Sequence, residues 1–193
     1  MTEYFEIQYG PYGGPYSTSF VYPSEEVGED VLLLGLTDDG SSFTGMYQFS
    51  HDNNDVMARI IPKDGHSEFI AYETGVLRKG YIGLTDDAQP SEVVMMVLDS
   101  SGNVLDSAHN ASIVSDAINE FTFTGNVTLQ GGTSYRIGVW NKDAWLKVRA
   151  SANAGWEVRS RDSSNDTFPT PPETWGSDAW LGNMNKSLIY VTT

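Results

Sequence analysis

Cysteine is absent from the 193 residues. That excludes disulfides, thiol nucleophiles and thiolate metal sites together. No apolar run approaches the length of a membrane-spanning helix, so no membrane span is expected. The opening stretch "MTEYFEIQYG" has neither a basic n-region nor an apolar h-region, so no secretory signal is expected there. Positive charge is scarce. The net charge is −15, and nucleic acid is therefore excluded as a default partner, because phosphate binding needs a basic surface. No Lys or Arg precedes Arg59, while ten Asp and Glu do, and six of the eleven basic residues lie between Arg136 and Arg161. Such asymmetry fits either a solvated acidic surface or charge-complementary docking on another copy or a partner.

Helix signals are nearly missing too; "SIVSDAINEF" has room for one turn. Strand signals take their place. Short β-branched or aromatic runs are punctuated by Gly, Asn, Asp and Ser. They predict strands near 4–9, 18–22, 31–36, 44–50, 55–61, 67–73, 76–84, 92–98, 103–108, 119–124, 126–130, 134–140, 145–150 and 187–192. The pattern is that of an all-β chain, a Greek-key sandwich. Two parts are expected: an N-terminal extended arm over 1–30 and a sandwich over 31–193. The arm holds half of the ten tyrosines in "YGPYGGPYSTSFVYP" and just before it. Such a segment cannot fold alone. Tyr4, Phe5, Tyr9, Tyr12 and Tyr16 are its candidate assembly contacts.

"VVMMVLDSSGNVLDSA" predicts a hairpin turning at "DSSGN". Its first strand is apolar on both faces, as is "DVLLLGL", so a second face must be covered by the arm, a loop or another subunit. The strings "LGLTDDG" and "IGLTDDA" share recurring turn chemistry. In "LQGGTSY", Leu129, Gly132 and Tyr135 have the spacing of a tyrosine corner, where a Tyr at a strand start returns its hydroxyl to the backbone upstream.

Beyond the corner, Arg136 and Trp140 alternate with apolar residues, and in "WLKVRA" Trp145, Lys147 and Arg149 do the same. A hairpin across "NKDA" would set these five on one outward face, with Trp156, Arg159 and Arg161 close behind. Aromatic side chains between basic ones suit sugar rings, anionic polymers or an acidic protein surface. The competing reading is that the tryptophans cap the core edge under Lys and Arg stems.

No catalytic signature is present. His51, His66 and His109 lack metal-ligand spacing, and neither a G-x-S-x-G elbow nor a P-loop occurs. The expectation is a chain that is not an enzyme and has no metal or other cofactor. Calcium at "TDDG", "LDSSGN" or "SSNDT" is the one exception weighed, and these residues are also common turn formers. Sequons at Asn110, Asn126, Asn165 and Asn185 read as coincidental without a secretion signal.

The stretches "SEVVMMVLDSSGNVLDSA", "FTFTGNVTLQGGTSYRIGVW", "FPTPPETW" and "SLIYVTT" resemble a family of jelly-roll domains found in phage virion proteins and in accessory modules of secreted bacterial proteins. The resemblance implies a jelly roll similar to carbohydrate-binding modules, capsid decorations and tail-fibre tips. On that basis the chain is expected to be a virion structural protein assembled in the host cytoplasm. It would be a homotrimer that contacts other virion proteins. The alternative it implies is a host-adhesion module that binds surface polysaccharide.

Overall fold

The computed structural model describes residues 30–37, 43, 45–49, 56–62, 69–163, 165–177 and 180–193. The arm candidates Tyr4, Phe5, Tyr9, Tyr12 and Tyr16 lie outside the described residues, as do the strands expected over 4–9 and 18–22. The body of the molecule is the unit Val31–Thr193. Among the described residues every regular element is a strand, and no helix is long and apolar enough to cross a membrane.

Two antiparallel sheets face each other. The smaller contains β1 (Leu32–Leu36), β5 (Lys79–Gly83), β8 (Ile118–Thr122) and β13 (Ile189–Thr192), in the order β1-β13-β5-β8. The larger contains β2 (Gly45–Phe49), β3 (Val56–Pro62), β6 (Val93–Asp99), β7 (Val104–Asn110), β10 (Tyr135–Asn141), β11 (Leu146–Asp162) and β12 (Trp180–Ser187). Its order is β12-β11-β3-β10-β6-β7, with β2 paired to β11. A short pair, β4 (Gly75–Val76) and β9 (Thr128–Leu129), lies apart. One core joins the layers. Leu33, Leu34, Ile82, Phe121 and Val191 of the small sheet share it with Ile60, Met95, Ile137, Val139, Val148 and Trp156 of the large one. The molecule is therefore a β-sandwich, held by the apolar faces of both sheets.

The two-sided apolar strands have two different explanations. In β1 the ladder shifts register between Leu32 and Leu34, so Leu33 is an extra residue opposite β13. The bulge lets consecutive leucines, Leu33 and Leu34, enter the same core. In β6, Val93, Met95 and Val97 face the core, while Val94, Met96 and Leu98 form a second cluster with Trp140 and Trp175. The chain itself covers that cluster with the segment 165–177. Trp175 N donates to Gly102 O at 2.7 Å and Val104 N to Glu173 O at 2.8 Å. Arg161 fastens the segment from the sheet side. One guanidinium nitrogen donates to Trp175 O at 2.7 Å, and the other pairs with Asp166 at 2.6 Å.

The corner is built as its spacing suggests. Gln130 N donates to the Tyr135 hydroxyl at 2.9 Å. Gly132 has φ +77°, and a Cβ on Gly131 would sit 3.2 Å from the backbone of Glu73 and Thr74. Here the chain leaves the small sheet at β8, passes through β9 and enters the large sheet as β10.

The hairpin across "NKDA" is not formed. β10 pairs with β3 and β6, and β3 stands between β10 and β11. β11 pairs with β2 over Leu146–Ala150 and with β3 over Trp156–Asp162. It also meets the small-sheet side of the molecule. Thr85 N donates to Lys147 O at 3.2 Å and Leu188 N to Arg149 O at 2.9 Å, and Leu84 bridges Val148.

Candidate functional site

The structure divides the six surface candidates. Trp140 does lie on the outward side of β10, but it is only 1% exposed, because Phe168 of the covering segment packs edge to face on it at 5.0 Å. Trp156 is 0% exposed and points into the core against Phe69, also at 5.0 Å. Neither can stack on a ligand, which corrects their placement on a binding face. Alternation gives the side of the sheet a residue takes, not what lies over that side. Arg136 sits at the far end of β10, partly buried, where its guanidinium donates to Ser134 Oγ and to Tyr135 O, both at 2.8 Å.

Trp145, Lys147 and Arg149 remain together on the outer side of β11. Leu146 and Val148 alternate with them into the core. The register brings β2 alongside, with Gln48 opposite Lys147 and Met46 opposite Arg149. Trp145 is 44% exposed. A shallow cleft of about 500 Å³ opens beside it, lined by Gln48, Ala88, Asp143, Ala144, Trp145 and Lys147.

The local chain holds this cleft in place. Asp143 adopts φ 59°, a left-handed conformation that a short polar side chain tolerates best among non-glycines. Its carboxylate accepts from Ser91 N at 2.9 Å and from the Ser91 hydroxyl at 2.5 Å. Asn141 Nδ2 donates to Ala144 O at 2.6 Å, closing the turn. Gln89 clamps β11 from the other side: its Nε2 donates to Lys147 O at 3.0 Å, and its Oε1 accepts from Lys147 N at 3.1 Å. The Lys147 ammonium lies 3.3 Å from Asp87. Arg149 is turned toward the small sheet, where its Nε donates to Leu84 O at 2.9 Å and it pairs with Asp116 at 2.8 Å.

Next to the cleft, Glu92 receives both Lys142 and His109, the latter at 2.8 Å. The Lys142 hydrogen bond holds the Glu92 carboxyl below the usual glutamate range, and the same bond raises Lys142. The Lys142 ammonium lies 5.6 Å from the Phe168 ring centre, so this acid–base cluster also grips the covering segment.

The acidic turns serve the fold. Asp99 in "LDSSGN" accepts from Ser101 N at 2.8 Å, Asn103 N at 2.9 Å and Asn103 Nδ2 at 2.6 Å. Burial opposes its ionisation, but these hydrogen bonds win and its carboxyl is lowered. Asp166 of "SSNDT" is engaged by Arg161. "TDDG" at 37–40 lies largely outside the described residues. Among the described residues no three His, Asp or Glu side chains are grouped to hold a metal ion.

Sequence reasoning missed Gln48 and Asp143. Gln48 reaches Lys147 only through a pairing of strands about a hundred residues apart, which no local pattern encodes. Asp143 read as an ordinary turn residue. No family model, curated protein or solved structure matches the chain.

Proposed function

We propose that the chain is a non-enzymatic adhesion module that holds a carbohydrate in the Trp145 cleft. The observation that carries this reading is the half-exposed Trp145 indole at the rim of a cleft that it shares with Gln48, Asp143 and Lys147 and with two small alanines, Ala88 and Ala144. An indole face accepts the C–H face of a pyranose ring, and its burial on binding is favourable. Gln48 supplies an amide donor and acceptor, Asp143 acceptor lone pairs and Lys147 a donor, which is the inventory a row of hydroxyls needs. Asp143 and Lys147 are already fixed by Ser91 and Asp87, so little side-chain freedom is lost on binding. The resemblance to jelly-roll virion decorations and carbohydrate-binding modules supports the same reading. A glycan array with the full chain tests it. Saturable binding that disappears in Trp145→Ala, with the fold intact, is the expected result. Silence across a broad array from folded protein removes the proposal.

A second reading, a virion structural protein that assembles with its own copies and with other virion proteins, rests on the edge of the small sheet. β1 ends that sheet, and Tyr72 N donates to Leu33 O at 3.1 Å, so the segment beside it borders the edge. Phe69 and Ala71 point inward, while Ile70, Tyr72 and nearby Val31 are exposed. An apolar group at a sheet edge suits a subunit contact. Light scattering distinguishes this reading. A defined oligomer lost in a Val31→Asp, Ile70→Asp double variant supports assembly, and a monomeric parent protein opposes it.

A further inference from the structure

The lining of the Trp145 cleft is apolar in part and polar in part, and the fold fixes both. Trp145, Ala88 and Ala144 bring an indole and two methyl groups; Gln48, Asp143 and Lys147 bring an amide, a carboxylate and an ammonium. The alanines sit on two separate turns. Ala144 follows β10, where its N donates to Lys142 O at 2.8 Å and its O accepts from Asn141 Nδ2 at 2.6 Å. Ala88 lies in a turn closed by its neighbours: the Thr85 hydroxyl donates to Asp87 at 3.1 Å, and Gln89 Nε2 donates to Thr85 O at 3.2 Å. Ser91, just past that turn, bonds Asp143 of the other. Both methyl groups are therefore held in place before any ligand arrives.

The polar groups differ in how far they are committed. Asp143 already accepts from the Ser91 N and hydroxyl, and the Lys147 ammonium lies 3.3 Å from Asp87. Gln48 stands opposite Lys147 on the β2–β11 ladder. Its side-chain amide is partly buried and makes no hydrogen bond to any described residue. Such an amide has its donors and its acceptor ready for a ligand.

This lining selects among sugars. A plain hexose presents hydroxyls at its rim, and a hydroxyl set against an alanine methyl loses water and gains no partner. A uronate would meet the Asp143 carboxylate. An acetamido group carries a methyl beside an amide. The methyl gains from burial against alanine and indole. Its N–H and C=O match the C=O and N–H of Gln48, donor to acceptor in both directions.

Given the carbohydrate cleft proposed above, on which this rests, we infer that the sugar is an N-acetylated hexosamine. Its methyl lies among Ala88, Ala144 and the Trp145 indole, and its amide lies against Gln48.

The test uses sugars that differ only at C2: glucose, glucosamine and N-acetylglucosamine, and the same three of the galactose series. Each is displayed on the same polymer, and binding of the full chain is measured at constant ionic strength. The N-acetylated member of at least one series should bind about tenfold more tightly than its hydroxyl and amine counterparts, as expected for one buried methyl and one amide pair. Saturation-transfer NMR on that sugar should place the strongest signal on the acetamido methyl protons. Gln48→Leu removes the amide and Ala88→Leu fills the room for the methyl. Each should abolish most of the preference, with thermal melts confirming the fold. Equal binding of all three members of a series, or tighter binding of the amine, overturns the inference and leaves a carbohydrate cleft of another selectivity. No binding to any member overturns it too, and the broad array then decides separately whether the cleft takes carbohydrate at all.

Discussion

Trp140 and Phe168 meet edge to face, 5.0 Å between ring centres and 73° between planes. One belongs to a central strand of the large sheet, the other to a connecting segment that carries no sheet strand. Their contact turns an outward-facing tryptophan into a core residue, and it completes a second apolar cluster outside the sandwich proper.

Trp140→Ala should therefore behave as a core truncation. A loss of about 3–5 kcal/mol is expected, read from chemical denaturation. Trp145→Ala, at the half-exposed cleft, should change stability by about 1 kcal/mol or less. Equal losses from both substitutions would contradict the burial described above.

Phe168→Ala should loosen the covering segment while the sandwich stays folded. Amides held by that segment, Trp175 N and Val104 N, should then exchange with solvent faster than those at the centre of β6. Arg161→Gln should have a similar effect, because Arg161 ties both Asp166 and the Trp175 carbonyl. Hydrogen exchange followed by mass spectrometry reads both variants.

At the corner, Tyr135→Phe removes the acceptor of Gln130 N and leaves that donor in a partly buried place. A cost of about 1–2 kcal/mol is expected in equilibrium unfolding. Gly132→Ala meets no atom within 4 Å, so its cost should be backbone strain alone, about 1–2 kcal/mol at φ +77°. Gly132→Asn should cost less than Gly132→Ala.

The Glu92 cluster gives stability a pH dependence of known sign. Its carboxyl is held down in the folded chain by Lys142 and His109, so the folded state binds fewer protons than the unfolded one. The stabilisation is present above the ordinary glutamate range, near pH 4–5, and is lost as pH falls through the lower folded value. Asp99 acts in the same direction. Urea midpoints measured from pH 7 to pH 3 should decline, and Glu92→Gln should flatten part of that decline.

Much of the sandwich could be read from the residues. The hairpin at "DSSGN" pairs Leu98 with Val104, and Tyr135 takes its hydrogen bond at the corner. Alternation is a local property and survives in the sequence. What failed was non-local. The second half of β11, "SANAGWEVRSRD", was not expected as strand, because small residues open it and charged ones line its outer face. Yet Trp156, Val158 and Ser160 alternate inward. β12 was missed for a similar reason: of its described side chains only Met184 is both apolar and buried. Of the strand expected at 67–73, the described residues 69–73 form only an isolated bridge at Ile70. The hairpin across "NKDA" was the costliest error. Nearness in sequence suggested pairing, whereas β3 had already taken the place between the two strands.

β11 runs for 17 residues, about 55 Å if extended. Sandwiches joined only by side chains resist sliding through van der Waals contact. Here one continuous backbone is bonded to β2, β3 and β12 and also to Leu188 and Thr85 beside the small sheet. Slippage of one layer over the other would have to rupture the peptide hydrogen bonds from Thr85 N and Leu188 N in shear, both at once. β11 thus acts as a tie-bar, and a load applied across the layers is shared along its length.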